Sequence, residues 1–174
     1  MIKALHILIL AILLNALIGL GGPFIQTSLY LSRLALLPAP TRLRVPVDNV
    51  RVGALRDTWH AGRSGGRRHE GIDIFAPRGT PVHATTEGIV TRVGVKSLGG
   101  KAVWVLGPGR QRHYYAHLDR FADVYAGQRI QAGTVLGYVG NTGNARRTPS
   151  HLHYGIYTLA GAINPFPLLI ASTS

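Results

Sequence analysis

Read for its apolar and polar positions, the chain changes character twice. From Ala4 to Leu20 only His6 and Asn15 are polar in a run of Leu, Ile, Ala and one Gly that has no polar face. A second apolar stretch, Leu29 to Leu37, is broken by Arg33, and Pro38, Pro40 and Pro46 then oppose a helix. Beyond Pro46, short segments alternate with turn residues: Gly71–Phe75, Thr80–Ala84, Gly88–Val93, Ala102–Leu106, His113–His117, Thr134–Val139 and His151–Tyr157. Several are rich in Val, Ile, Tyr and Thr, and Pro77-Arg-Gly, Gly107-Pro-Gly and Asn141-Thr-Gly punctuate them. The pattern predicts an all-β domain over residues 47–170, a linker over 23–46, and an N-terminal apolar helix within 1–22. Whether the linker packs on the domain or only tethers it is open at this level.

Composition narrows the chemistry. The length of 174 residues suits one domain plus a short extra segment, and a hydrophobic content of 46% permits a packed core. The 22 glycines and 10 prolines call for many tight turns, which favours short strands over long helices. There is no cysteine, so a disulfide framework, a thiolate metal site and a Cys nucleophile are all excluded. Any metal must be held by His, Asp or Glu.

A net charge of +12 attracts polyanions. Nucleic acid, an anionic cell envelope and a merely soluble basic surface all satisfy it. The basic residues form no dense block and do not interleave with aromatics, so no specific nucleic-acid partner is expected. Lys3 followed by the Ala4–Leu20 run resembles a secretory leader. That run sits at the lower edge for crossing a hydrocarbon layer of ~30 Å at ~1.5 Å per residue. Export is expected, with residues 1–22 either a cleaved signal peptide or a retained membrane anchor.

Five of the eight histidines fall in three segments: His69-Glu-Gly-Ile-Asp73, His113-Tyr-Tyr-Ala-His117 and His151-Leu-His153. Alternate residues of a strand share a face, so His151 and His153 point the same way. His69 and Asp73 would do so too if their segment is extended, and by the same rule His113, Tyr115 and His117 share a face. Glu70 would point away. Two donors from one strand and a third from another can make a His2Asp site with an open position for water, as hydrolytic zinc sites require.

These segments, with Ala76-Pro-Arg-Gly-Thr-Pro-Val82, Gly88-Ile-Val90, Tyr115-Ala-His-Leu118 and Gly140-Asn-Thr-Gly143, resemble the lysostaphin-type (LytM-like) zinc endopeptidases. The likeness runs from about Arg67 to Pro167. It implies a fold of antiparallel sheets with a groove, zinc held by His69, Asp73 and His153, and catalysis assisted by the two non-ligand histidines His117 and His151. It also implies the activity: an endopeptidase that hydrolyses peptide bonds of peptidoglycan stem peptides or cross-links through a metal-bound water. Peptidoglycan is then the partner, with membrane association through the N-terminal segment, at a periplasmic or cell-envelope location. The alternative is a non-catalytic wall-binding regulator of other hydrolases on the same fold. One stretch departs from the family's common pattern: Asn144-Ala-Arg-Arg-Thr-Pro-Ser150 is longer and more basic, which bears on substrate preference. His113 is either a surface residue or a support for the site, and His6, His60 and His83 lie outside it.

Overall fold

The computed structural model describes residues 19, 21–22 and 24–171; the N-terminal apolar helix expected within 1–22 lies almost wholly outside them. Ten strands carry the fold: β1 (Ile72–Phe75), β2 (Pro81–His83), β3 (Gly88–Lys96), β4 (Gly100–Leu106), β5 (Arg112–Leu118), β6 (Arg120–Phe121), β7 (Arg129–Ile130), β8 (Val135–Tyr138), β9 (His151–Thr158) and β10 (Gly161–Ile163). Two helices flank them, α1 over 24–36 and α2 at Phe166–Ile170. The larger sheet runs β1-β9-β5-β4-β3-β7, with β10 also on β9; the smaller is β2-β8-β6. Every pairing is antiparallel.

Each segment expected from the alternation contains a strand, because its Val, Ile and Tyr residues have one face to bury. Ile72, Ile74, Val103, Val105, Tyr115, Leu152, Tyr154 and Ile156 fill the space under the large sheet, and Val82 and Leu136 meet them from the small one. All ten are essentially solvent-free.

The stretch expected as a linker is built onto the domain along much of its length. Over α1, Thr27, Tyr30 and Leu34 follow three- and four-residue spacing and share one face. Leu34 is buried, the Tyr30 hydroxyl donates to the Gly88 carbonyl at 3.2 Å, and Arg33 makes a two-pronged pair with Glu87 at 2.7 and 2.9 Å. Pro38 ends the helix by removing a donor, and the Gly109 amide caps the Leu37 carbonyl at 3.0 Å. Downstream, Leu43 and Val47 enter the core. The opposite face of α1 is also apolar: Ile25, Leu29 and Leu36 are 58%, 66% and 84% exposed. Among the described residues no helix is long and apolar enough to cross a membrane.

Candidate metal centre

The sheet register assembles the site. Across β1 and β9, Asp73 stands opposite His153 and Phe75 opposite His151; across β9 and β5, His153 stands opposite Ala116. Directly paired residues share a face. Asp73, His151 and His153 therefore look outward, while their neighbours Ile72, Ile74, Leu152 and Tyr154 look into the core. His69 arrives from outside the sheet, at the base of a hairpin over 60–69 closed by His69 N–H to Ala61 O and Arg63 N–H to Arg67 O. Gly71 lets that hairpin approach: a Cβ there would lie 2.5 Å from Tyr154 O and 2.8 Å from His153 Cε1.

Three donor atoms converge. His69 Nε2 is 2.8 Å from His153 Nδ1 and 3.0 Å from Asp73 Oδ1, and His153 Nδ1 is 3.3 Å from the same oxygen. Ligand atoms about 2.0–2.2 Å from a tetrahedral zinc stand about 3.3–3.6 Å apart, so this triangle is close to one face of such a tetrahedron. The donor chemistry also fits. The Nδ1–H of His69 donates to Thr58 O at 2.8 Å, which leaves a lone pair on Nε2. Burial alone would push the Asp73 carboxyl up, but its contacts with His153 and His69 outweigh this and hold it well below the usual carboxylate range. The group is an anion at neutral pH, as a ligand must be. Burial also pushes the His153 ring towards its neutral, metal-binding form.

Two more imidazoles stand beside the triangle. His151 Nε2 is 3.9 Å from Asp73 Oδ1, and its Nδ1 donates to Pro149 O at 2.8 Å. His117 lies edge-on to His151 with ring centres 5.0 Å apart and 5.9 Å from the His153 ring; its Nδ1 donates to Thr142 O at 2.9 Å. In both, the backbone acceptor fixes the tautomer and leaves Nε2 free to take a proton. Burial first, and then the neighbouring His153 and His151, push His117 down to about 4. It is neutral at pH 7.

The face that His117 occupies differs from the expectation. Strict alternation would set it with His113 and Tyr115, and those two do point into the core, both solvent-free. Between Val103 and Lys101 the β4–β5 register slips by one residue, and His117 adopts φ +63°. An extra residue in one strand re-aims the next side chain. That left-handed residue turns the ring out to His151 and His153. His113 is therefore a core residue: its Nδ1 meets the Tyr154 hydroxyl at 2.8 Å and Thr85 Oγ1 at 3.2 Å. Glu70 is exposed and, after burial, is the next influence keeping the Tyr157 phenol protonated; it does not face the triangle.

Three supporting residues were not read from the sequence. Arg63 Nη2 donates to Asp73 Oδ2, the oxygen turned away from the triangle, and so orients the carboxylate. Thr58 holds His69 through its carbonyl and the Asp73 amide through Oγ1 at 3.0 Å. Thr142 holds His117. Arg63 resembles Arg67 and Arg68 in the sequence, and only the hairpin's pairing distinguishes it. The other two act largely through backbone carbonyls, which leave no mark on side-chain identity.

The model of Peptidase family M23 matches residues 67–165. Among curated proteins, the L-Ala--D-Glu endopeptidase of Bacillus subtilis is 41% identical over 128 residues, 67% of this chain and 39% of its own. The DD-carboxypeptidase/endopeptidase Mpg of Neisseria meningitidis is 37% identical over 125 residues, 72% of this chain and 26% of its own. The chain thus spans well under half the length of these relatives. Among solved structures, Helicobacter pylori Csd3 superposes with a TM-score of 0.61 at 31% identity, over 75% of this chain and 35% of that one. The catalytic domain of lysostaphin from Staphylococcus simulans gives 0.59 at 28% identity, over 67% and 92%. With its antiparallel sheets, its outward His-Asp-His triangle and this extent of likeness, the chain belongs to peptidase family M23.

Proposed function

We propose that the protein is a zinc-dependent endopeptidase that hydrolyses peptide bonds in peptidoglycan stem peptides or cross-links, outside the cytoplasm. The observation that carries the reading is the convergence of His69 Nε2, Asp73 Oδ1 and His153 Nδ1, with two further imidazoles alongside. Those three atoms would hold zinc, which when bound supplies Lewis acidity at the reacting carbonyl and to an attacking water. His151, with Nδ1 committed to Pro149 O, takes the water's proton at Nε2 and returns it to the departing amine. His117, committed at Nδ1 to Thr142 O, presents an accepting Nε2 beside the same space and holds the attacking water by taking a hydrogen bond from it. Arg63 and Thr58 keep the carboxylate and His69 in register. The peptidase unit on this reading is 47–170.

The names of the relatives support this substrate class and a place beyond the cytoplasmic membrane. The outward apolar stripe of α1, which follows the Ala4–Leu20 run in sequence, supports contact with a membrane surface. Digesting purified peptidoglycan with zinc-loaded protein and following the products by mass spectrometry tests the activity. New amine termini that vanish with chelator, return with zinc, and fall about 10²–10⁴-fold in His151→Ala are expected. The variant should still bind one zinc. Absence of zinc-dependent amine termini would overturn the reading, and a His151→Ala protein with full effect on the wall would favour a regulator.

A further inference from the structure

Past His117 the molecule has a cavity of about 500 Å³ lined by Val95, Lys96, Gly100, Lys101, Thr142 and Arg146, among others. Its walls are the end of the β3–β4 hairpin and the start of the basic loop over 144–150. Three of the lining residues are cations and none is acidic. The cations are not spent on one another's neighbours. Lys101 Nζ donates to the carbonyl of Asp119 at 2.6 Å, while the Asp119 carboxylate is taken by Arg78 at 2.7 Å. Lys96 and Arg146 are exposed and their side chains have no ion-pair partner among the described residues.

The cavity is also fixed in place. Gly100 and Gly143, at φ +62° and +70°, back onto each other so closely that a Cβ on Gly143 would fall 2.3 Å from Gly100 N. Thr142 accepts the Lys101 amide at 2.9 Å and donates to Leu118 O at 2.9 Å. Its own carbonyl is the one that holds His117. A group bound here therefore lies one residue from the imidazole that borders the metal triangle. Three cations around one cavity, with no carboxylate among its lining, add their fields and attract an anion more strongly than a lone surface lysine does.

We propose that this cavity is an anion subsite that takes a carboxylate of an acidic peptide substrate and so places the neighbouring peptide bond beside His117. The inference rests on the peptidase reading for its substrate but not for its binding. It gives the basic loop, which the ligand set leaves without a task, a role in selecting peptides by charge.

The test uses the zinc-loaded full chain and two synthetic stem-like peptides of one sequence. One carries free carboxylates; the other has them as carboxamides. Wild-type protein should favour the acidic peptide by about ten- to a hundredfold in kcat/KM, mostly through KM, which is the worth of one charge-assisted contact. In the Lys96→Gln/Arg146→Gln double variant the acid-to-amide ratio should fall to within about threefold, and wild-type preference should shrink with added salt. Equal kcat/KM for the two peptides in wild type, or an unchanged ratio in the variant, overturns the subsite. If neither peptide is cut, the peptidase reading fails and binding decides the subsite separately, by isothermal titration of each peptide. Tighter binding of the acidic peptide that is lost in the variant upholds it; equal dissociation constants overturn it.

Discussion

His113 and His117 belong to one strand, yet the two sides of the sheet they serve work by opposite rules. On the inner side, His113 is surrounded by hydroxyls: Thr85 Oγ1 is 2.9 Å from the hydroxyls of both Tyr115 and Tyr154, and Tyr154 reaches His113 Nδ1. Burial pushes His113 to about 4 and Tyr115 to about 12, so the whole cluster is uncharged. On the outer side, His117 is pushed equally far down, but its free nitrogen borders a carboxylate and two other imidazoles. Burial alone does not make a histidine reactive. What differs is whether a backbone acceptor fixes one nitrogen while the other faces a site for charge.

The largest effect should come from removing the outer ring while keeping its backbone. Glycine adopts φ +63° without steric cost, whereas a side chain there costs about 1–2 kcal/mol. His117→Gly should lose about 10²–10⁴ in hydrolysis rate yet unfold within about 1 kcal/mol of wild type, since relief of strain offsets the lost packing. Denaturant melts run beside peptidoglycan assays check both. A variant that is active, or grossly unstable, would erase the contrast between the two faces.

The inner face should instead register in stability against pH. Above pH 6.5 neither the folded nor the unfolded chain protonates this histidine. Between 6.5 and about 4 the unfolded chain binds the proton and buried His113 does not, so stability falls as pH falls. Over that window the loss amounts to roughly 3 kcal/mol, at 1.36 kcal/mol per pH unit, and it levels off below about 4. His113→Phe should remove its roughly 3 kcal/mol share of this acid loss, leaving the share of His117, without changing activity per folded molecule. Equal acid sensitivity in the two proteins would mean that His113 is not the buried neutral group described.

The smallest change concerns the hydroxyl that joins ring to ring. Tyr154→Phe strips one partner each from His113 and Thr85, and should cost about 1 kcal/mol in urea unfolding with no effect on metal binding. A much larger loss would show that the cluster acts as one network and not as separate pairs.

Most of the architecture was readable because the strands that build it bury Val, Ile and Tyr on alternate positions. β6, β7 and β10 were not, being only two or three residues long and held by neighbours whose identity the local sequence does not reveal. Helix α1 was hidden because Ile25, Leu29 and Leu36 make its outer face as apolar as its inner one, so no amphipathic pattern marks it. The triangle of His69, Asp73 and His153 was named through the family resemblance of its motifs; the β1–β9 register sets Asp73 beside His153, and the 60–69 hairpin delivers His69. His117 was named from its motif, but the face it shows is set by a bulge and one left-handed residue, which strand periodicity cannot encode. Arg63 depends on a hairpin whose turn, Gly65-Gly66 at φ +73° and +72°, gives no hint of which arginine will fold back.

That hairpin makes the donor set a joint between two pieces of chain. Asp73 and His153 belong to the sheet, while His69 and Arg63 ride on an appendage whose tip is exposed to solvent. An ion drawn to the triangle would therefore act as a rivet, fastening the appendage to the sheet, and whatever lifts the appendage would withdraw a donor and the carboxylate's guide in a single movement.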